Sequence, residues 1–145
     1  MAAVKEKPSL TIVRKLKAAP EKVWRALTEP EALKQWLAPT DAYVVTLAEA
    51  DVRVGGRFHI VMKSAEGEHD VSGVYREIAP HRKLAYTWAW KSTPERESLV
   101  TFELRAADGG TELTLRHEQF ADEEARDKHQ QGWTGCLARL EKFVA

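Results

Sequence analysis

The chain has 145 residues, and its 22 basic and 22 acidic side chains give a formal net charge of zero. This length suits one ordinary domain, and a neutral balance without a basic block argues against a nucleic-acid partner. The single cysteine, Cys136, excludes an internal disulfide and a zinc site built from cysteines. We therefore expect one cytoplasmic domain over residues 1–145, ordered at about 10–144. MAAVKEKPS should hold neither a signal peptide nor a membrane span.

The N-terminal third predicts one strand and two short helices. Residues 10–18 alternate apolar and polar side chains, as a half-buried strand does. Pro20 then favours a helix start, because a helix tolerates proline in its first turn. A second helix should start near Pro30 and end near Leu37, with Trp36 on its apolar side.

From about Tyr43 the apolar pattern changes to a period of two, which predicts six strands joined by hairpins. These strands should cover 43–52, 57–64, 69–78, 83–90, 98–105 and 111–117. A loop at 65–68 would pair Phe58 with Tyr75. The later turns would pair Tyr75 with Tyr86, Tyr86 with Leu104 and Leu104 with Leu113. The resulting antiparallel sheet has one apolar face and one polar face.

Residues 122–144 predict one long helix at the C-terminus. His129, Trp133, Cys136, Leu140 and Phe143 recur at steps of three and four, which places them on one stripe. Gly132 interrupts this helix at a cost of about 1 kcal/mol relative to alanine. We take it to permit close contact between the helix backbone and the sheet.

The predicted sheet is much wider than the helix that must cover it. A helix is about 10–12 Å across, whereas neighbouring strands lie about 4.8 Å apart and seven are expected. The sheet should therefore curl around the helix, and such a curl tends to leave space between them. Whether tryptophan side chains fill this space or line a pocket stays open at this point.

Several short segments resemble one family in content and in order. They are Ala18-Ala19-Pro20 with EKVWRALTEP, LKQW at 33–36, DVRVGGRF at 51–58, GVYREIAP at 73–80, LAYTW at 84–88 and Gly132-Trp133. On these segments the chain is identified as a member of the START-like superfamily (helix-grip, Bet-v-type, polyketide cyclase-like). More closely, it resembles small bacterial proteins that share the C-terminal domain of the activator of the heat-shock protein 90 ATPase. We expect none of that co-chaperone's separate N-terminal domain in these 145 residues.

The resemblance implies an α+β helix-grip fold in the order β-α-α-β-β-β-β-β-β-α, with a curved antiparallel sheet of about seven strands wrapped around the C-terminal helix. It also implies a cavity between the two, used by relatives for hydrophobic ligands, polyketide cyclisation or partner contact. The side chains expected to bind a ligand there are Trp36, Phe58, Ile60, Met62, Val71, Tyr75, Tyr86, Trp88, Trp90, Val100, Phe102, Leu115, His117, His129, Trp133 and Cys136.

Three functions remain open from the sequence. The first is binding of a small hydrophobic or aromatic molecule, and the second is a chaperone-related module that contacts a partner in a stress response. The third is a cyclase or hydrolase that uses His117 and a tyrosine as acid and base. We find no metal-ligand spacing, phosphate-binding loop or nucleophile–base pair, so we predict no catalytic signature, no metal and no cofactor. We expect no nucleic-acid or membrane partner, and either a monomer or a homodimer.

Overall fold

The computed structural model describes residues 7–145 and places ten helices and strands in the expected order. Residues 1–6, which include most of the stretch expected to hold no signal peptide, lie outside the described residues. The elements are β1 (Leu10–Leu16), α1 (Pro20–Thr28), α2 (Pro30–Trp36), β2 (Val44–Ala50), β3 (Arg57–Ser64), β4 (Gly67–Ala79), β5 (Lys83–Trp90), β6 (Ser98–Ala107), β7 (Gly110–Glu118) and α3 (Glu123–Val144).

The seven strands form one antiparallel sheet in the order β1-β7-β6-β5-β4-β3-β2. The N-terminal strand β1 is therefore an edge strand that pairs with β7, and strands β2 to β7 form a meander of hairpins. This arrangement confirms the predicted α+β class, strand number and element order. It leaves α3 as the one long helix among the described residues to cover the apolar face.

The predicted register is confirmed in two hairpins and is wrong in two others. Tyr75 pairs with Tyr86, and Leu104 pairs with Leu113, as expected. Phe58, however, pairs with Gly73, since the β3–β4 turn has two residues instead of four and Gly67, at φ 120°, already belongs to β4. Tyr86 pairs with Val100, four positions from the predicted Leu104, although the β5–β6 loop covers 91–97 as predicted. Both shifts are even, so every side chain keeps its predicted face.

Helix α3 begins with a side-chain cap and buries one stripe. The Asp122 carboxylate accepts a hydrogen bond from the Ala125 backbone N–H at 2.8 Å, which satisfies one of the free donors of the first turn. Trp133, Cys136 and Leu140 are buried as predicted. Phe143 is 43% exposed, so its predicted place on the buried stripe is wrong. Leu137 and Val144, which we expected to widen the stripe toward the C-terminus, are both buried.

The close approach of α3 occurs at Gly135, and the prediction that Gly132 makes it is wrong. A Cβ built on Gly135 would overlap the carbonyl oxygen of Pro39, in the loop that follows α2. A Cβ on Gly132 would lie 4.0 Å from the Pro39 Cβ, which is ordinary van der Waals contact. The neighbour of the glycine is therefore the α2–β2 loop, and not the sheet. Gly135 allows this loop to pack against the helix.

Candidate functional site

Aromatic rings fill the middle of the space between the sheet and α3. The ring centroids of Phe58 and Tyr86 are 4.8 Å apart, and those of Trp88 and Trp133 are 5.3 Å apart. Phe102 meets Trp133 edge to face at 5.8 Å. These separations are those of packed aromatic pairs, so this part of the predicted cavity is core.

A cleft remains open beside this aromatic core, between α3, the α2–β2 loop and strands β3 to β5. We call it the apolar cleft; it has a volume of about 290 Å³. Its walls are mainly aliphatic and aromatic, with one charged side chain at the edge. The lining residues are Leu37, Pro39, Tyr43, Met62, His69, Trp88, Trp90, Lys128, His129, Gly132, Trp133 and Cys136.

A second opening, the polar cleft, lies on the other side of the Trp90–His129 pair and has a volume of about 380 Å³. It is formed by the β5–β6 loop and the first turns of α3, and its lining includes two ion pairs. Arg96 lies 3.7 Å from the Asp122 carboxylate, and Lys128 lies 3.0 Å from Glu124. The two clefts share four residues: Trp88, Trp90, Lys128 and His129. These four side chains form a partition between the clefts.

His117 sits at the centre of a fully buried hydrogen-bond chain. Trp133 Nε1 donates to His117 Nδ1 at 2.9 Å, and His117 Nε2 lies 2.7 Å from the Ser98 hydroxyl. Because an indole N–H can only donate, Nδ1 must carry the lone pair and Nε2 the proton. The Ser98 hydroxyl then donates to the Trp88 carbonyl at 3.2 Å. Both ring nitrogens of His117 are therefore engaged, and this favours a structural role over an acid–base role.

His129 repeats this arrangement at the partition. Trp90 Nε1 donates to His129 Nε2 at 3.0 Å, and His129 Nδ1 donates to the Ala125 carbonyl at 2.7 Å. The same donor logic fixes the neutral tautomer that carries its proton on Nδ1. Each of the two histidines is thus held neutral by a tryptophan.

Burial shifts the titration of several groups around the clefts. Burial lowers the pKa of His117 well below its ordinary 6.5, and His129 adds to this shift. Burial also lowers the pKa of His129, against the opposing effect of its bond to Ala125. Burial raises the pKa of Tyr75 and of the Cys136 thiol to about 12 in each case. At neutral pH the apolar cleft therefore holds a protonated, unreactive Cys136 thiol and a neutral His129, and the buried His117 is neutral as well.

The sixteen residues predicted to bind a ligand divide into two groups. Six of them line the apolar cleft: Met62, Trp88, Trp90, His129, Trp133 and Cys136. The other ten line neither cleft and pack in the interior or against it: Trp36, Phe58, Ile60, Val71, Tyr75, Tyr86, Val100, Phe102, Leu115 and His117.

Sequence reasoning missed half of the cleft lining: Leu37, Pro39, Tyr43, His69, Lys128 and Gly132. The helix carried a signal for two of them, because Lys128, Gly132 and Cys136 recur at steps of four and share one side of α3. Leu37, Pro39 and Tyr43 belong to an irregular loop that shows no periodicity. Nothing in the sequence alone placed this loop against α3.

No group of three or more histidine, cysteine, aspartate or glutamate side chains within residues 7–145 is arranged to hold a metal ion. In the same range, no helix is both long enough and apolar enough to cross a membrane.

Comparisons with known proteins agree with this architecture. The family described as Activator of Hsp90 ATPase homolog 1-like protein matches residues 17–145. A solved protein of Chromobacterium violaceum is 30% identical with a TM-score of 0.86, covering 94% of this chain and 96% of that one. The AHSA1 protein of Silicibacter pomeroyi is 28% identical with a TM-score of 0.82, covering 93% and 96%.

A curated relative of Mus musculus, "Activator of 90 kDa heat shock protein ATPase homolog 1", is 27% identical over 126 residues. The match covers 86% of this chain and 33% of the relative. The chain thus spans about a third of the length of that mouse protein.

Proposed function

This chain belongs to the family of Activator of Hsp90 ATPase homolog 1-like proteins, and we propose that its apolar cleft binds a small apolar or aromatic molecule. The family match at 17–145 includes every residue that lines this cleft. The observation that carries the proposal is an open, mostly apolar cleft of about 290 Å³ beside a closely packed aromatic core. Ligand pockets are commonly of this character, with volumes of about 300–1,000 Å³. The size favours a ligand of one or two rings or a short alkyl chain.

The apolar surface of the cleft supports this function, because an apolar wall that stays in contact with water costs free energy. Burial of apolar area contributes about 25 cal/mol per Å², so a ligand that covers the walls is stabilised by them. Three of the five tryptophans, Trp88, Trp90 and Trp133, line the cleft. A ligand there should change their fluorescence, which gives a direct reading of occupancy.

A larger side chain at Gly132 should close the cleft. We expect Gly132→Leu to weaken binding of the neutral dye N-phenyl-1-naphthylamine by at least about tenfold, since Gly132 lines the cleft and its Cβ would face the Pro39 side chain. Gln131→Leu is the matched control, because it adds the same side chain on an exposed position that lines neither cleft. Dye fluorescence and tryptophan quenching measure binding, and the melting temperature checks the fold. Equal binding by a folded Gly132→Leu variant would contradict the cleft as the site.

A second proposal is contact with a 90 kDa heat-shock chaperone, favoured by the 126-residue similarity to the mouse activator. The matched segment is one part of that activator, so stimulation of an ATPase is a separate question from contact. Purified chain should form a complex with the chaperone of its own organism at micromolar concentration, and a higher rate of ATP hydrolysis would extend the proposal from contact to activation. No change in the rate and no complex at micromolar concentration would remove this second proposal and leave the first one intact.

A further inference from the structure

One charged side chain, a lysine, lies at the edge of the apolar cleft. Among its twelve lining residues, Lys128 is the single Lys, Arg, Asp or Glu side chain. Its ion-pair partner, Glu124, lines the polar cleft but not the apolar one. Both members of this pair are exposed, at 74% and 76%, so the pair is weak and easily exchanged. The walls of the apolar cleft therefore offer a ligand one cation, and the carboxylate partner of that cation lies outside these walls.

The partition also has more hydrogen-bond donors than acceptors. His129 offers one lone pair, which Trp90 Nε1 already occupies. Trp88 Nε1 is buried and has no hydrogen-bond acceptor among the described residues. An unsatisfied buried donor costs about 1–3 kcal/mol, and native proteins contain few of them. A ligand that brought an acceptor to this partition would remove that cost.

The charge and the donors point to the same chemistry. Lys128 and Trp88 both belong to the partition, and each favours an acceptor that carries negative charge. The remaining walls, such as Met62 and Trp133, favour an apolar body. We propose, resting on the proposed function, that the ligand is an apolar molecule ending in a single anionic acceptor group such as a carboxylate. Its head lies at the partition, on Lys128 and the indole N–H of Trp88.

The affinities of three compounds of equal chain length test this proposal. Octanoate should bind at least about tenfold more tightly than octan-1-ol, and octylamine should bind most weakly, as measured by displacement of N-phenyl-1-naphthylamine. Octanol binding as tightly as octanoate would overturn the anionic head while leaving the cleft as an apolar site. Failure of the dye and of all three compounds to bind would remove the proposed function as well.

Substitutions of Lys128 and Glu124 should change the affinity for octanoate in opposite directions. Lys128→Met should lower octanoate affinity to about that of octanol, and Glu124→Gln should raise it, because Lys128 then loses its competing partner. Lys142→Met is the matched control, since Lys142 is an exposed lysine of the same helix that lines neither cleft. Octanoate affinity unchanged by Lys128→Met, or changed equally by Lys142→Met, would overturn the assignment.

The proton resonance of the Trp88 indole N–H distinguishes a direct hydrogen bond to the ligand from a general effect of charge. On addition of octanoate, its proton resonance should shift downfield as it gains an acceptor, and Trp88→Phe identifies the signal. A Trp88 resonance that stays in place while octanoate binds would place the head elsewhere and overturn this part of the proposal.

Discussion

Lowering the pH below 6.5 is expected to destabilise the folded chain through His117, by at most about 1.4 kcal/mol per pH unit. Burial holds the pKa of His117 well below 6.5 in the folded chain, whereas the unfolded chain binds a proton near that pH. The contribution to stability is therefore complete above about pH 6.5. It is lost as the pH falls toward the folded pKa, at up to about 1.4 kcal/mol per pH unit.

The hydrogen bonds of His117 oppose protonation in the same direction as its burial. Protonation of His117 Nδ1 would set two donors against each other, since Trp133 Nε1–H already points at that nitrogen. The nearby His129, with ring centroids 5.1 Å apart, meets the same conflict with Trp90. His129 is only half-buried, so its share of the acid sensitivity should be smaller.

Urea unfolding between pH 7 and pH 4.5 measures this effect. His117→Gln should flatten the pH dependence, because an amide can accept from Trp133 and donate to Ser98 without titrating. His81→Gln is the control, since His81 is exposed in the β4–β5 turn. The deciding quantity is the slope of stability against pH, so a lower overall stability of the His117 variant does not matter. Equal slopes for wild type and His117→Gln would show that His117 is not the group held neutral.

Gly135→Ala is expected to destabilise the chain by about 2–3 kcal/mol, whereas Gly132→Ala should stabilise it by up to about 1 kcal/mol. The added methyl of the first variant overlaps the Pro39 carbonyl oxygen, so α3 and the α2–β2 loop must move apart. The added methyl of the second variant reaches only van der Waals distance and removes the backbone entropy cost of a helical glycine. The two changes are chemically identical and lie three positions apart on one helix.

Chemical unfolding of both variants at neutral pH gives the comparison directly. The difference between them should be about 3 kcal/mol, which is far outside the error of such measurements. Similar stabilities for the two variants would contradict the close packing of the loop against Gly135.

The face of each side chain in the sheet followed from the sequence, since a period of two sets the faces without fixing the partners. Phe58 and Tyr86 were assigned wrong cross-strand partners, yet both still lie inward, because their strands slipped by even numbers of residues. The length of the β3–β4 turn decided the partner of Phe58, and two residues were enough for that turn. Local periodicity carries no information on such a choice.

The division of the inward residues between core and cleft could not be predicted from the sequence. Tyr86 and Trp88 share a strand and a face, but Trp88 lines both clefts and Tyr86 lines neither. That difference depends on where α3 crosses the sheet, which is set by its contact with the loop at Pro39. The sequence signalled a close contact on α3 and placed it three residues too early, at Gly132.

The indole N–H resonances of the five tryptophans test the central claim, that the apolar cleft binds an apolar ligand, most directly. Trp88, Trp90 and Trp133 line the cleft, whereas Trp24 and Trp36 line neither cleft, and Trp36 Nε1 already donates to the Ala26 carbonyl at 2.7 Å. Titration of the ¹⁵N-labelled chain with octanoate or N-phenyl-1-naphthylamine should move the first three resonances and leave the last two in place. Shifts of Trp24 and Trp36 alone, or no shift in any of the five at millimolar ligand, would contradict it.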